Sequence, residues 1–304
     1  MITIFSNPRP FKGSFLISQK NAIRNWKVAI PNAQILLIDD EEHTTAAVAK
    51  ELGVTCIQSV QQNQYGTPLL DSVFSEVRKY ATHDLLAQIN IDILLLPDFL
   101  ETLQHMPVDR FYLVGQRWDV AINKELDFST PEWPEQLKNL IHSTGNYHPA
   151  AGSDYWIFPK KVQFNVPPFI VGRPGADNWL IYNFKSRGVP IIDASNSITI
   201  IHQDHPRKDG DQIYEREKKQ NEEIYRKSTN PNKQGAYYFD LSDSDYIFDH
   251  NKLKKKQLSF ITSLKKNFLY ARYVPRLLKS SSFFWSVVDK FTNPLFELLL
   301  KKSP

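Results

Sequence analysis

The stretch ILLIDDEE, residues 35–42, decides the fold, because an uninterrupted apolar run ends abruptly in a run of acids. A strand that is apolar on both faces is typical of a parallel sheet covered by helices. The same alternation continues on both sides of this stretch, with strands predicted at 1–5, 53–60 and 85–91 and helices at 14–28, 44–52 and 69–80. The sequence therefore predicts an α/β fold with a mixed, mostly parallel, Rossmann-like sheet flanked by helices.

The pattern loosens after residue 100. Further strands are predicted within 110–120, 153–158 and 189–202, whereas 124–149 is interpreted as loop-rich and 206–235 as a mobile loop followed by a polar helix. Residues 252–302 have a helical pattern that is basic and aromatic. We therefore expect a catalytic domain at 1–205, a polar region covering the site at 206–250, and a basic amphipathic helical tail at 251–304.

Composition excludes several classes of protein. The chain has 304 residues, 41% of them hydrophobic and 23% charged, which suffices for a sizeable core. No run of about 18 uncharged apolar residues suggests a transmembrane helix, and no secretory signal is recognised at the N-terminus. The single cysteine, Cys56, excludes an intramolecular disulfide and a Cys-rich zinc site. We expect a cytoplasmic protein.

Positive charge is concentrated in the tail. Residues 251–304 hold 12 of the 37 Lys and Arg but only 2 of the 33 Asp and Glu. Basic residues beside leucines and aromatics favour an interfacial helix on an anionic membrane, which would make the protein peripheral to the inner face of the membrane. The alternative is a helix that packs on the body of the protein or on a second subunit. Nucleic acid is not expected as a partner, because no recognised motif accompanies the charge.

Polar side chains follow two of the predicted strands. Asp39 and Asp40 end one of them, and Asn90 and Asp92 end another. Ligands of open parallel sheets bind at the carboxyl ends of strands, and Mg²⁺ in such sites takes one or two carboxylates together with substrate phosphates. These positions are therefore candidates for nucleotide and metal binding. The alternative for Asp92 is a structural cap of the turn before Pro97.

Two later clusters also contain candidate residues. Asp177 lies near a predicted helix start after the turn at 172–175, so it is either a helix cap or a general base for an acceptor hydroxyl. His202 follows an apolar strand, so it is either a hydrogen-bonding structural group or a ligand of a metal or phosphate. The stretch 152–156, GSDYW, suits either an aromatic sugar platform beside Asp154 or a turn that leads into a half-buried strand.

The order of these motifs resembles that of the GT-A glycosyltransferases, which bind a nucleotide-diphosphate sugar on a Rossmann-like sheet. The stretches PFIVGRPGADNWLIY (168–182) and IHQDH (201–205) also resemble a bacterial and plant group of this superfamily. The resemblance covers about residues 1–205 and excludes the tail. It implies transfer of a sugar from a nucleotide-diphosphate donor to a carbohydrate or lipid-linked acceptor, assisted by Mn²⁺ or Mg²⁺.

Carried over by position, the resemblance implies a role for each candidate. Asp39 would contact the base or ribose. Asn90 and Asp92 occupy the family's Asp-x-Asp position, so Asp92 would hold the metal, with His202 completing that site. Asp177 would be the catalytic base, and Asp154 would be a second catalytic residue that faces donor and acceptor. Two arginines, Arg9 and Arg173, are candidates for neutralising the leaving diphosphate, as is Arg207.

The chain departs from the family's pattern at two positions. Asn90 replaces the first acid of Asp-x-Asp, and Ala176 replaces the Glu that precedes the catalytic acid. Asn90 favours one alternative, a non-catalytic sugar- or membrane-binding scaffold with this fold. A second alternative, a nucleotidyltransferase, is disfavoured because residues 6–13 contain one glycine rather than a Gly-rich phosphate loop.

Overall fold

The computed structural model describes residues 1–40, 42–150, 153–204, 211–229 and 239–257. All of them except Gln257 belong to one compact unit, Met1–Thr229 with Ala236–Lys256. The second unit, Asn230–Gly235 and Gln257–Pro304, otherwise lies outside the described residues, and so does most of the predicted tail.

The described residues form thirteen strands and seven α-helices. The strands are β1 Ile2–Ser6, β2 Gln34–Ile38, β3 Thr55–Ile57, β4 Leu85–Ile89, β5 Ile93–Leu95, β6 Tyr112–Val114, β7 Trp118–Val120, β8 Asn146–Tyr147, β9 Tyr155–Pro159, β10 Ile191–Asp193, β11 Ile200–Gln203, β12 Tyr246–Asp249 and β13 Lys252–Lys255. The helices are α1 Gly13–Ala29, α2 Thr45–Leu52, α3 Leu70–Tyr80, α4 Asp98–Gln104, α5 Trp133–Thr144, α6 Ala176–Ser186 and α7 Gln212–Ser228.

A nine-stranded sheet with the order β13-β12-β10-β6-β9-β4-β1-β2-β3 forms the centre of the molecule. Five of its strand pairs are parallel, and the antiparallel pairs are those of β9 with β4 and β6 and of β12 with β13. A second sheet has the order β5-β11-β7-β8. The predicted mostly parallel α/β fold is thus confirmed.

The two faces of the large sheet are covered by separate apolar cores. Adjacent residues of β1, Ile4 and Phe5, are both fully buried but belong to different cores, because side chains alternate along a strand. On one face Trp26 of α1 is buried and donates its indole N–H to the carbonyl of Ile93, 2.8 Å away. On the other, Phe74 of α3 packs on Phe5. This double coverage explains why the strands are apolar without alternation.

Two predictions of local structure are wrong. Residues 133–144, interpreted as part of a loop, form α5, because Pro134 stands in the first turn, where the missing N–H costs no hydrogen bond. Lys252–Lys255, predicted as helical, forms strand β13 at the edge of the large sheet. Its exposed lysines suit an edge strand, because charge there discourages pairing with other chains. No helix among the described residues has the length and apolar character that crossing a membrane requires.

The polar helix predicted within 206–235 is confirmed as α7. It is fixed to the body by three buried residues at helical spacing, Glu217, Asn221 and Tyr225. The Glu217 carboxylate accepts hydrogen bonds from Asn63 and Thr67, at 2.6 and 2.7 Å. Because these contacts are polar, hydropathy alone could not predict that α7 packs on the body. The parts of the predicted loop and helix that flank α7, 206–210 and 230–235, lie outside the described residues.

Candidate functional site

Several predicted residues lie along one edge of the large sheet. Strands β1, β2 and β4 are parallel and neighbours in the sheet, so their carboxyl ends share an edge. Strand β9 runs antiparallel to β4, which brings Asp154, just before β9, to the same edge as Asn90. The peptide N–H of Asn90 donates to the carbonyl of Asp154 at 2.8 Å. Asp39, Asn90 and Asp92 therefore lie at this edge, as predicted for polar residues that follow parallel strands, and Asp154 lies there with them.

The two acids after β2 have different environments. Asp40 accepts hydrogen bonds from the N–H of Thr45 and from the hydroxyls of Thr44 and Thr45, at 2.7–2.8 Å. Burial raises the pKa of Asp40, but these hydrogen bonds outweigh it and the pKa is lowered. Asp40 is thus a cap for the start of α2. Asp39, 4% exposed, accepts from His43 at 2.8 Å and Gln58 at 3.1 Å through Oδ2, and its buried Oδ1 accepts no hydrogen bond among the described residues.

Asn90 and Arg117 hold the Asp154 carboxylate from two sides. The Asn90 amide donates to Oδ1 at 2.7 Å, and the guanidinium of Arg117 donates to Oδ2. Asn90 in turn accepts from Gln88 at 3.2 Å. Because Asp154 is 6% exposed and both of its oxygens are engaged, its contacts are those of a positioning residue. The catalytic role predicted for Asp154 stays a prediction.

Asp119 of β7 is the centre of a wider network. Its Oδ1 accepts from Arg117 Nε at 2.7 Å and from His202 Nδ1 at 3.0 Å, and its Oδ2 accepts from His148 Nδ1 at 2.7 Å. Burial raises the pKa of Asp119, but the bonds from Arg117 and His148 outweigh it and the pKa is lowered. One carboxylate therefore orients a guanidinium and two imidazoles.

Asp92 and His202 lie together at one end of this network, with Asp92 Oδ2 3.5 Å from His202 Nε2. Burial lowers the pKa of His202, but the hydrogen bond and the charge of Asp92 outweigh it and the pKa is raised. Among the described residues no three His, Cys, Asp or Glu side chains converge as an all-protein metal site requires. The pair fits the smaller set that a divalent cation needs when phosphate oxygens supply its other ligands, and Asp119 orients His202 as carboxylates orient metal-binding histidines.

Asp177 stands in the first turn of α6, after Gly175, whose φ of 112° lies in the left-handed region. Burial raises the pKa of Asp177, and the charge of Asp154 raises it further, while the backbone N–H groups of Asn178, Asp177 and Gly175 lower it. The net pKa is raised. The charge of Asp154, the other predicted carboxylate, therefore reaches Asp177. Asp177 also shows the contacts expected of an acid at a helix start.

The two predicted arginines, Arg9 and Arg173, differ in whether their charge is paired within the protein. Arg9 is exposed and follows β1, which lies between β2 and β4 in the sheet, and its guanidinium stands 4.8 Å from the centre of the Phe15 ring. Arg173 instead donates to the buried Glu217 carboxylate at 2.7 Å and stacks on Tyr214. The charge of Arg173 is thus balanced within the protein, and its predicted role in binding the donor stays a prediction. Arg207 lies outside the described residues.

The aromatic sugar platform predicted within 152–156 is wrong. Tyr155 and Trp156 belong to β9 and are 0% and 8% exposed, so neither ring face is available to a sugar. The Trp156 indole donates to the Ser153 hydroxyl at 3.0 Å. The alternative, a turn that leads into a half-buried strand, is right about the strand, but all five residues of β9 are buried.

Sequence reasoning missed three residues of the network, namely Arg117, Asp119 and His148. A signal for the first two was present, because Arg117 and Asp119 are two residues apart after the apolar strand 112–114, as Asn90 and Asp92 are after β4. His148 had no comparable signal, because it belongs to a stretch interpreted as loop. It reaches Asp119 through the pairing of β7 with β8.

Comparisons with known proteins find similarity only at the level of structure. No family model matches the chain, and no curated protein matches it. One similar solved structure is glucosyl-3-phosphoglycerate synthase from Mycobacterium tuberculosis in complex with Mg²⁺ and uridine-diphosphate, at 11% identity and a TM-score of 0.45, covering 73% of this chain and 77% of that one. The same enzyme with phosphoglyceric acid gives 10% identity and a TM-score of 0.42, covering 70% and 74%.

Another similar structure is a putative glucose-1-phosphate thymidylyltransferase from Bacillus anthracis in complex with a sucrose. It has 12% identity and a TM-score of 0.36, covering 73% of this chain and 95% of that one. Similarities this partial assign no role to any residue. Functional roles in this chain therefore depend on its own side chains.

Proposed function

We propose that this chain is a glycosyltransferase that binds a nucleotide-diphosphate sugar across the carboxyl ends of β2, β1 and β4. The observation that carries the proposal is the hydrogen-bonded network of Asp119, Arg117, Asp154, Asn90, Asp92 and His202 beside the buried, partly unpaired carboxylate of Asp39. Asp39 and Asp92 are separated by β1, or two strand spacings of about 4.8 Å each. That span suits a ribose at one end and a diphosphate at the other.

Each part of the network has a role in this proposal. Asp39 Oδ1 accepts a hydroxyl or base N–H of the nucleoside. Asp92 and His202 hold Mn²⁺ or Mg²⁺ with the donor's phosphates. When bound there, the cation neutralises charge on the leaving diphosphate. Arg9, on the loop between the two ends, is placed to contact a phosphate. Arg173 reaches the donor only if it leaves Glu217.

Asp177 is the first candidate for the base that takes the acceptor's proton. Its raised pKa suits that task, because a carboxylate is a stronger base when burial destabilises its charge. Asp154 would orient the guanidinium of Arg117, with which it forms an ion pair. The proposed acceptor is a hydroxyl of a carbohydrate or of a lipid-linked sugar.

The proposal is tested by thermal unfolding with UDP, GDP, CDP, dTDP and ADP, each with and without Mn²⁺. A ligand at 100 times its dissociation constant stabilises the folded state by about 2.7 kcal/mol. We expect one nucleotide to stabilise the wild type in a metal-dependent manner, Asp92→Ala to lose that effect, and the control Asp109→Ala, on an exposed side chain, to keep it. The same response in both variants would refute the donor site.

A scaffold without catalytic activity is the second candidate, and Asn90 favours it. Its amide carries no charge, so it is not an anionic ligand, and it is also engaged by Asp154 and Gln88. The two candidates differ in turnover. A scaffold would bind nucleotide without hydrolysing any nucleotide sugar, whereas a transferase releases nucleotide slowly even when water is the acceptor.

Contact with an anionic membrane through 251–304 also remains a proposal, and it is independent of the donor site. The test is co-sedimentation of the full chain with anionic and neutral vesicles. Reversing the charge of Lys265 and Lys266 should weaken anionic binding by more than roughly 30-fold, because the loss of each basic residue costs about 1 kcal/mol and the added acids are repelled as well. The matched reversals of Lys50 and Lys161, which are exposed on the body, should have little effect. Equal weakening by both pairs would overturn the proposal.

A further inference from the structure

His148 belongs to the network but has no part in the donor site. It follows β8 and is held in place by its backbone as well as by its ring. Its N–H donates to the carbonyl of Arg117 at 2.9 Å, and its carbonyl accepts from the Gln116 side chain at 2.7 Å. The position of the ring is thus set by contacts on both sides of the residue, as precise chemistry requires.

The bond to Asp119 fixes the tautomer of this ring. A carboxylate only accepts hydrogen bonds, so the His148 Nδ1 atom, 2.7 Å from Asp119 Oδ2, carries the hydrogen. In the neutral ring Nε2 then has a lone pair, and it lies on the side of the ring away from Asp119. A carboxylate that accepts a hydrogen bond from one imidazole nitrogen, while the other nitrogen has a lone pair, is the proton-accepting pair of many hydrolases and transferases.

His148 also differs from His202, although Asp119 binds both rings through Nδ1. The His202 side chain is 12% exposed and its Nε2 faces Asp92, whereas the His148 side chain is 23% exposed. Within the part of the chain that the structure describes, His148 Nε2 has no hydrogen-bond partner. His148 is therefore the more exposed imidazole of the network, and its Nε2 does not face a second carboxylate as that of His202 does.

We propose that the Asp119–His148 pair accepts the proton of the acceptor hydroxyl. This inference rests on the proposed function. The hydroxyl O–H bond breaks and its proton passes to His148 Nε2, while the oxygen forms a bond to the anomeric carbon of the donor sugar. The bond from that carbon to the diphosphate oxygen breaks, and the electron pair leaves with the diphosphate. The proton then passes from His148 to water, and Asp119 is the positioning residue.

This assignment competes with Asp177. The Asp177 carboxylate already accepts from backbone N–H groups at the start of α6, so part of its proton-accepting capacity is used within the protein. The two assignments predict opposite results for the same pair of variants.

The first test compares His148→Asn, Asp119→Asn and Asp177→Asn with the control His142→Asn, which alters an exposed histidine in the last turn of α5. The assay is hydrolysis of the UDP, GDP, CDP, dTDP and ADP sugars, with water as acceptor. We expect His148→Asn to lower kcat by about 10²–10⁴-fold with the nucleotide dissociation constant unchanged. We expect Asp119→Asn to lower it as well and His142→Asn to have no effect. Loss in Asp177→Asn with full activity in His148→Asn would overturn the inference.

The second test does not depend on turnover. Nitrogen-15 NMR of the imidazoles should show His148 as the Nδ1–H tautomer in the wild type and a changed tautomer ratio in Asp119→Asn. An Nε2–H tautomer of His148 in the wild type would refute the inference even if nucleotide binds. A wild type that binds none of the nucleotides refutes the donor site instead, and the tautomer measurement still decides the state of His148.

Discussion

The edge of the large sheet and the four-stranded sheet contribute to the same site, but they do so in different ways. At the edge, Asp39 and Asn90 each follow a strand directly and Asp92 lies in the turn two residues after Asn90, so local sequence order places them. In the smaller sheet, Asp119, His148 and His202 come from three segments that are joined by pairing of β7 with β8 and β11. Strand-end residues can therefore be identified from a sequence, whereas a network assembled by strand pairing requires the structure.

The largest effect is expected where the two regions meet, at Arg117. Its guanidinium joins Asp119 of the small sheet to Asp154 at the edge, with its side chain 13% exposed. Removing one partner from a mostly buried ion pair leaves uncompensated charge, which costs about 3–5 kcal/mol. We expect Arg117→Met to lower the free energy of unfolding by that amount in urea titrations and to abolish nucleotide binding at pH 7.

A matched control for this prediction is Arg24→Met, since Arg24 makes an exposed ion pair with Glu125. Its expected effect on stability is below about 1 kcal/mol. Equal destabilisation by the two substitutions would show that the network does not depend on Arg117 to connect the two sheets.

A smaller effect is expected at Asn90, where the family's motif has an acid. Asn90→Asp would place a carboxylate 2.7 Å from Asp154 Oδ1 in place of a donated hydrogen bond. We expect a loss of about 1–3 kcal/mol in unfolding free energy and no gain in Mn²⁺ affinity. Stability would be measured by urea titration and Mn²⁺ binding by electron paramagnetic resonance. Tighter Mn²⁺ binding with unchanged stability would mean that Asn90 is an incomplete metal site rather than a partner of Asp154.

The adjacent acids Asp39 and Asp40 test whether strand-end position alone identifies a functional residue. Asp40→Ala removes the cap of α2 and should cost about 0.5–2 kcal/mol of stability, with nucleotide affinity unchanged. Asp39→Asn should weaken nucleotide binding roughly 10-fold or more, with a smaller change in stability. Thermal unfolding and calorimetric titration separate the two effects. The reverse pattern would move the nucleoside site away from Asp39.

Much of the fold could be predicted from the sequence because its first hundred residues are locally consistent. The apolar strands, the helices between them and their polar ends all indicate the same parallel sheet, as in 35–42. The prediction was wrong where local pattern and tertiary context differ. Pro134 suggested a loop but stands in the first turn of α5. Tyr155 and Trp156, for which a sugar platform was one of two alternatives, lie in the core.

The candidate site was predicted only in part, because some of its residues become neighbours only through tertiary structure. Asp39 and Asp92 are visible as polar residues after apolar runs, and His202 follows the apolar pair Ile200 and Ile201. Asp119 and His148 are 29 residues apart and become neighbours only through the register of β7 and β8, and His202 reaches Asp119 over 83 residues. A single sequence contains no information on that register that periodicity could detect.

In the proposed function, the donor's diphosphate and its metal bind at the Asp92 and His202 end of the network around Asp119. The most direct measurement is the broadening of histidine NMR signals by Mn²⁺ together with the nucleotide that stabilises the protein. We expect strong broadening of His202, weaker broadening of His148, and none for the exposed His105 and His142. All broadening should be lost in Asp92→Ala. Equal broadening of all four signals, or broadening that survives Asp92→Ala, would show that the metal does not bind at Asp92 and His202.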